Sequence, residues 1–177
     1  MTLQAGAAFS DLFRQVRRTA LHLEMRDGYM RSDPHFLEWQ RDPGSVPADA
    51  GPADRPWLSL MKETTGRGVD VRRLRVVSEP ASDYIRFEHH VTAGNVSAGE
   101  QVRWLPRRQA SRLLLPGNDL WLFDDELILF LHFTGEGELS PHGDEERVID
   151  PTVIARCRAA FEDAWGLGVP HDQYSLV

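Results

Sequence analysis

Cysteine, lysine and long apolar runs are all scarce in this chain. Cys157 is the single cysteine in 177 residues, which excludes an intramolecular disulfide and any cysteine-based metal cage. No apolar run approaches the ~18–20 residues that a membrane helix needs. The opening stretch MTLQAGAAFSDLFRQ lacks the basic and uninterrupted apolar regions of a secretory signal, so a cytoplasmic location away from the membrane is expected. Basic residues are outnumbered 20 to 27, and the net charge of −7 argues against broad phosphate-driven binding to nucleic acid. Phosphate-loop, G-x-G-x-x-G and G-x-S-x-G signatures are missing. None of the 7 histidines has the His-x-x-x-His spacing of a zinc hydrolase helix, so neither a metal nor a cofactor is expected.

What is present is the composition of a globular protein, 41% apolar and 27% charged, long enough for one domain with a substantial core. Lys62 is the sole lysine. Such a bias toward arginine has a genomic explanation and a functional one, bidentate recognition of carboxylates.

Phe9, Leu12, Phe13, Val16, Ala20 and Leu23 recur at helical spacing and predict a helix over residues 10–27, capped by Ser10 and stopped at Gly28. A helical turn follows at Phe36–Trp39. The Pro-, Gly- and Asp-rich stretch RDPGSVPADAGPADRP (41–56) reads as a flexible connector with nothing to bury. A helix from Trp57 to the Gly66–Gly68 region leads into a strand at 69–77. Ser82 caps a helix over 83–93, and QVRWLP (101–106) is the next strand. A brief helical turn (107–113) precedes a hairpin, Leu120–Phe123 and Glu126–Phe133, joined at Asp124-Asp125. The second of these strands is apolar on both faces, as a doubly covered central strand is. Residues 135–149 read as an acidic loop. Asp150-Pro151 then supplies the cap and first residue of a last helix whose apolar stripe contains Cys157, so burial of that thiol is expected. A helix between two successive strands favours a parallel crossover, and a tight hairpin must be antiparallel. The expected fold is an α/β or α+β domain, a mixed sheet with helices on its faces.

Polar residues cluster in three places. HLEMRDGY holds His22, Glu24, Arg26, Asp27 and Tyr29; SEPASDYIRFEHH holds Ser78, Glu79, Ser82, Asp83, Tyr84, Arg86 and Glu88; EQVRWLPRR holds Arg103, Arg107 and Arg108. The last two clusters follow strands, and ligand crevices in open α/β sheets lie beyond the carboxyl ends of strands. Asp119, at the start of the hairpin, is a further candidate wall residue. Ordinary caps and surface ion pairs would produce the same clusters.

The segments HLEMRDGY, RVVSEPASDYIRFEH, AGEQVRWLPRR and LPGNDLWLFD resemble an actinobacterial family of uncharacterised proteins. That resemblance implies a genomic neighbourhood with Xre-type helix-turn-helix regulators, and no activity. Residues 57–133 also resemble one half of a phospholipase D-type fold, whose catalytic members carry His-x-Lys-x-x-x-x-Asp. With the final Asp set at Asp124, Asp119 stands at the lysine position and Gly117 at the histidine position. The resemblance therefore implies a copy without the covalent nucleophile and the phosphate-binding cation.

Two functions stay open from sequence. One is a non-enzymatic regulatory or interaction protein that partners a helix-turn-helix regulator or senses a small polar ligand, with an exposed apolar patch or shallow groove. The other is an enzyme acting on a small carboxylate or zwitterion, which requires Arg26, Glu79, Arg86 and Arg103 to converge on one cavity. RRQASR (107–112) is too short a basic run for direct DNA binding. The acidic Asp124-Asp125 pair suits a structural turn.

Overall fold

Strands with opposite faces buried organise the molecule, a computed structural model in which residues 8–49 and 55–177 are described. Seven strands form one sheet in the order β6-β5-β4-β1-β2-β3-β7: β1 Thr19–Glu24, β2 Asp70–Val77, β3 Gln101–Pro106, β4 Asp119–Phe123, β5 Leu127–Leu131, β6 Glu145–Val148 and β7 Val169–Pro170. β1, β2 and β3 are mutually parallel, and all other pairings are antiparallel. The helices are α1 Phe9–Gln15, α2 Pro34–Arg41, α3 Pro56–Gly66, α4 Asp83–Ser97 and α5 Pro151–Leu167, with a 3-10 turn at Arg107–Ala110. This is the mixed α/β architecture expected from sequence. No described helix is long and apolar enough to cross a membrane.

The two-residue period of the pleat divides the core. One face carries Leu21, Leu23, Leu74, Val76, Leu105, Leu120, Leu122 and Ile128, all packed against the α5 stripe of Ile154, Cys157, Phe161, Ala164 and Trp165. Cys157 is buried there, which pushes its thiol pKa up. The other face packs Ala20, Val71, Trp121, Phe123, Leu127 and Leu129 against α1 and α3. Along the same face, Val77, Val102 and Trp104 pack with Ile85 of α4 and with Tyr174. Alternate residues of β5 thus enter different cores, as its two-sided apolar run predicts.

Local capping follows the sequence. The Ser82 hydroxyl accepts from the Ile85 N–H, and the Asp150 carboxylate accepts from Thr152 and Val153 N–H groups ahead of Pro151. Asp124 and Asp125 both adopt positive φ, 51° and 60°, in a tight turn closed by the Glu126 N–H on the Phe123 carbonyl, with Glu126 between the turn and the Phe123–Leu127 pair. The Asp124 carboxylate accepts from the backbone N–H groups of Arg17, Arg18 and Thr19 at 2.7–2.9 Å, tying the chain before β1 to the turn.

The helix expected over 10–27 is corrected. α1 ends at Gln15, its N-cap is Ala8 rather than Ser10, and β1 occupies residues 19–24. β1 is paired on both edges and covered on both faces, so its burial loses the alternation that marks a half-buried strand. The acidic 135–149 segment contains β6, which closes one sheet edge with Glu145 and Glu146 exposed. The expectation of nothing to bury in 41–56 fails at Val46, which is buried among Phe36, Tyr84, Phe87 and Val91. Its carbonyl accepts from His90 at 2.6 Å. Residues 50–54 of that segment lie outside the described residues.

Candidate functional site

A row of polar side chains interrupts the face covered by α1, α3 and α4. On β1, His22 and Glu24 share the face of Ala20; on β2, Arg73 and Arg75 share that of Val71; on β4, Asp119 shares that of Trp121 and Phe123. The register then fixes their neighbours: His22 lies between Arg73 and Trp121, and Glu24 lies beside Arg75. All five polar side chains are buried.

The charges are paired through a continuous network. Glu24 accepts from both Arg73 and Arg75. Arg73 Nε donates to Glu100 at 2.9 Å, and Glu100 also accepts from Trp57 Nε1 and Asn95. Gly99 places Glu100 there: its φ of 95° suits glycine, and a Cβ would come within 2.6 Å of Thr65. Arg75 donates to Thr92 and lies 2.7 Å from Glu88. Its guanidinium is 5.0 Å from the Trp104 ring centre, while that of Arg73 sits between Trp57 and Trp121.

Burial opposes each of these charges, and the pairing decides the outcome. Burial pushes the Glu24 carboxyl up, yet Arg75 and Arg73 together hold it well below the usual carboxylate range. Burial raises Glu88, and Arg75 offsets this only in part. His22 is driven well below its ordinary value by burial, which outweighs the opposing pull of Glu24 and is reinforced by Arg73 and Arg75, so it is a neutral imidazole at physiological pH. Asp119 accepts from Met25 N–H at 3.0 Å and from the Tyr29 hydroxyl, and burial still pushes its carboxyl up to about 6.

Three adjoining cavities open along this row and share Glu88 as a wall residue. One, of about 320 Å³, is lined by His22, Glu24, Tyr29, Tyr84, Glu88 and Asp119, with Phe9, Phe133, Asp144 and Glu145 around them. A second, of about 240 Å³, is lined by Arg55, Arg73, Arg75, Trp57 and Trp121 and shares His22 with the first. The third, of about 400 Å³, lies over Val46, Arg55, Tyr84 and Phe87. His22 is only 6% exposed and stacks on Trp121 at 4.0 Å, yet neither ring nitrogen makes a hydrogen bond. Its Nδ1 is 3.2 Å from Glu24 without hydrogen-bond alignment. Glu88 Oε2 is likewise buried without a hydrogen bond, although it faces Arg75. An interior polar row with unfilled hydrogen-bonding capacity beside open volume is suited to holding a polar guest.

The sequence-derived candidates divide between this cleft and other surroundings. Tyr84, Glu88 and Asp119 line it. Asp27 accepts from Ser78, and Arg107 reaches Asp27 together with the Met25 and Val76 carbonyls, lacing the carboxyl ends of the parallel strands. Arg26 donates to the Thr134 carbonyl and lies over Phe133. Glu79 pairs with Arg108 and accepts from Tyr174, and Arg86 is exposed on α4. Arg103 faces α5, donating to the Trp165 carbonyl at 2.8 Å. The convergence of Arg26, Glu79, Arg86 and Arg103 is therefore not found. Alternation along β3 turns Trp104 toward α4 and sends Arg103 to the opposite face. Asp119 and Asp124 are also apart: Asp119 begins β4 at the cleft, and Asp124 follows its far end under the β1 approach. Among the described residues, no group of three or more His, Cys, Asp or Glu side chains could hold a metal ion.

His22 and Glu24, although members of a polar cluster, and Arg55, Arg73, Arg75 and Glu100 were not among the binding candidates. The legible signal was VDVRRLRVV: two arginines spaced by two, within a strand flanked by helical segments, must share one covered face.

The chain belongs to the family described as Domain of unknown function (DUF6879), whose model matches residues 7–176. A search of curated proteins found no match. Among solved structures, it is similar to Nuc from Salmonella typhimurium, a phospholipase D family member, at 11% identity and a TM-score of 0.50. That likeness covers 91% of this chain and 86% of Nuc. It is also similar to TrmBL2, an archaeal chromatin protein whose structure shows a novel mode of DNA binding, at 12% identity and a TM-score of 0.48. Here 90% of this chain and 48% of TrmBL2 are covered. At such identities the likeness to Nuc concerns the fold alone.

Proposed function

We propose that this protein is a non-enzymatic regulatory module that senses a small polar ligand in the cleft between α4 and the sheet. The observation that carries this reading is His22: buried, stacked on Trp121, and facing open volume with both ring nitrogens free of hydrogen bonds. Leaving buried polar atoms unsatisfied costs about 1–3 kcal/mol each, a deficit that a bound polar molecule removes. Glycine and aspartate at the histidine and lysine positions of the phospholipase D-type pattern support a role without phosphodiester chemistry. The competing reading, an enzyme for carboxylates, drew on arginines that the fold disperses. In the outer step of the reading, the occupied protein docks on a helix-turn-helix regulator, as the resemblance to an actinobacterial family implies.

The test is ligand recovery. Protein purified without denaturant is unfolded, and the released small molecules are identified by mass spectrometry. A compound released by the wild type and missing from Glu88→Gln supports the reading. Release of identical material by both, or of none, removes it. Co-purification of a stoichiometric helix-turn-helix protein tests the outer step separately.

A further inference from the structure

We infer that the ligand of this cleft is an organic cation, a primary amine whose ammonium group lodges against Asp119, Glu88 and His22. The inference rests on the sensing role and names the ligand class.

It follows from how charge is distributed around the 320 Å³ cavity. Five carboxylates line it and no arginine or lysine does. Three of the five are neutralised nearby, Glu24 and Glu88 by the β2 arginines and Glu145 by Arg147. Asp119 and Asp144 have no cation within ion-pair distance among the described residues. Asp119 is the telling member, since it is buried at the cavity wall with only neutral donors, Met25 N–H and Tyr29 O–H. A buried carboxylate without a cation is unfavourable on its own, and an ammonium group is its direct complement.

The hydrogen-bonding sense agrees. Asp119 and Glu88 are acceptors, and neutral His22 offers one ring nitrogen as a third, which matches the three N–H donors of a primary ammonium. The Tyr29 and Tyr84 rings, 5.9 Å apart, supply electron-rich walls for the attached chain. A carboxylate ligand fits poorly by comparison. In the neighbouring arginine-lined cavity, Arg73 and Arg75 are already engaged by Glu24, Glu88 and Glu100. Arg55 there is the arginine whose bonds go to neutral groups, the Val91 carbonyl and Asn95.

Three probes of matched length decide the question on the full chain: n-butylamine, 4-aminobutyrate and butyrate, titrated by calorimetry and by NMR of the histidine ring protons. Butylamine is expected to bind and to move the His22 signals, with butyrate silent. Asp119→Asn should weaken butylamine by about tenfold or more, the loss of one short-range charge interaction in a sheltered site, and Glu88→Gln independently by less, because Arg75 already pairs with that carboxylate. Arg103→Ala, on the other face, should leave it unchanged. Tighter binding of butyrate or 4-aminobutyrate than of butylamine overturns the amine assignment while leaving the cleft a ligand site. If none of the three moves the His22 signals, the amine assignment falls. The sensing role then survives only if ligand recovery yields a compound without a basic amine.

Discussion

Replacing Asp119 by asparagine should stabilise the protein at neutral pH, the reverse of what removing a buried hydrogen-bonded side chain usually does. Burial lifts the Asp119 carboxyl from 3.8 to about 6. The folded state therefore binds the proton more tightly than the unfolded chain, so stability falls as pH rises from about 4 through 6. At pH values above 6 the full cost of that rise is about 3 kcal/mol. Asparagine keeps an acceptor for the Met25 N–H but gives up the charged acceptor of the Tyr29 hydroxyl, a loss of about 1–2 kcal/mol. The net gain is then about 1–2 kcal/mol, or a melting temperature higher by about 3–6 °C for a chain of this size.

The assay is the melting temperature of both proteins across pH 4 to 8. The gap between them should be widest above pH 6 and close as the pH falls toward 4, where folded wild-type Asp119 is protonated and the unfolded carboxyl begins to be. Addition of a bound amine should raise the wild type toward the variant and move the variant much less. A variant less stable than wild type at pH 7.5, or a gap indifferent to pH, would refute the reasoning. Asp119 would then be a structural anchor rather than a charge held ready for a partner. A residue that weakens the fold and serves the site is the usual form of a stability–function trade-off.

Other perturbations separate the remaining roles. Glu24→Gln leaves Arg73 and Arg75 each short of a carboxylate and should cost about 3–5 kcal/mol in urea unfolding. Because the folded Glu24 carboxyl lies well below its ordinary 4.5, its contribution is complete above that pH and is lost on acidification. The variant should therefore show a flatter acid limb. Asp124→Ala removes the acceptor of three backbone N–H groups and puts alanine at φ 51°, so it should cost about 2–4 kcal/mol, with Asp124→Asn intermediate. Arg103→Ala should lower stability by about 1 kcal/mol through its stacking on Trp165, 4.5 Å away. Cys157 should react with a thiol reagent only as fast as α5 opens, since its thiol is buried and its pKa raised.

Much of the fold was legible because the relevant signals are local. Ser82, Asp150-Pro151, the two-sided apolar run of β5 and the Asp124-Asp125 turn each specify their element within a few residues. β1 was not legible: Phe9 to Leu23 keep helical spacing across a real helix–strand junction, and full coverage of β1 erases its alternation. β6 escaped because edge position leaves Glu145 and Glu146 exposed, so its composition is that of a loop. β7, two residues long, carries no pattern at all. For the cleft, Tyr84, Glu88 and Asp119 were found because they stand among other polar residues. His22 and Glu24 stand beside Arg26 in a segment whose apolar spacing is helical although it folds as β1. Arg73 and Arg75 were absorbed into an apolar strand reading, although their spacing placed them on one face.

The two faces of the sheet divide the work of the molecule. Behind it, α5 closes an apolar core whose packing supports the fold directly. In front, three carboxylates and two arginines occupy volume that aliphatic side chains of similar size could fill at comparable or better stability. Stability alone therefore does not account for the front face. What an ionic lattice supplies and an aliphatic one does not is fixed orientation. Arg73 and Arg75 hold Glu24, Arg75 holds Glu88, and Trp121 holds the His22 ring at the cavity wall. Such a preorganised shell lets a guest bind without ordering the side chains that receive it. Uncoupling that shell at Arg75 (Arg75→Met, shorter and uncharged) should release Glu88 and weaken amine binding even though it removes a competing cation, at a cost in stability of about 3–5 kcal/mol. A loss of stability with full binding retained would place the lattice in the service of the fold.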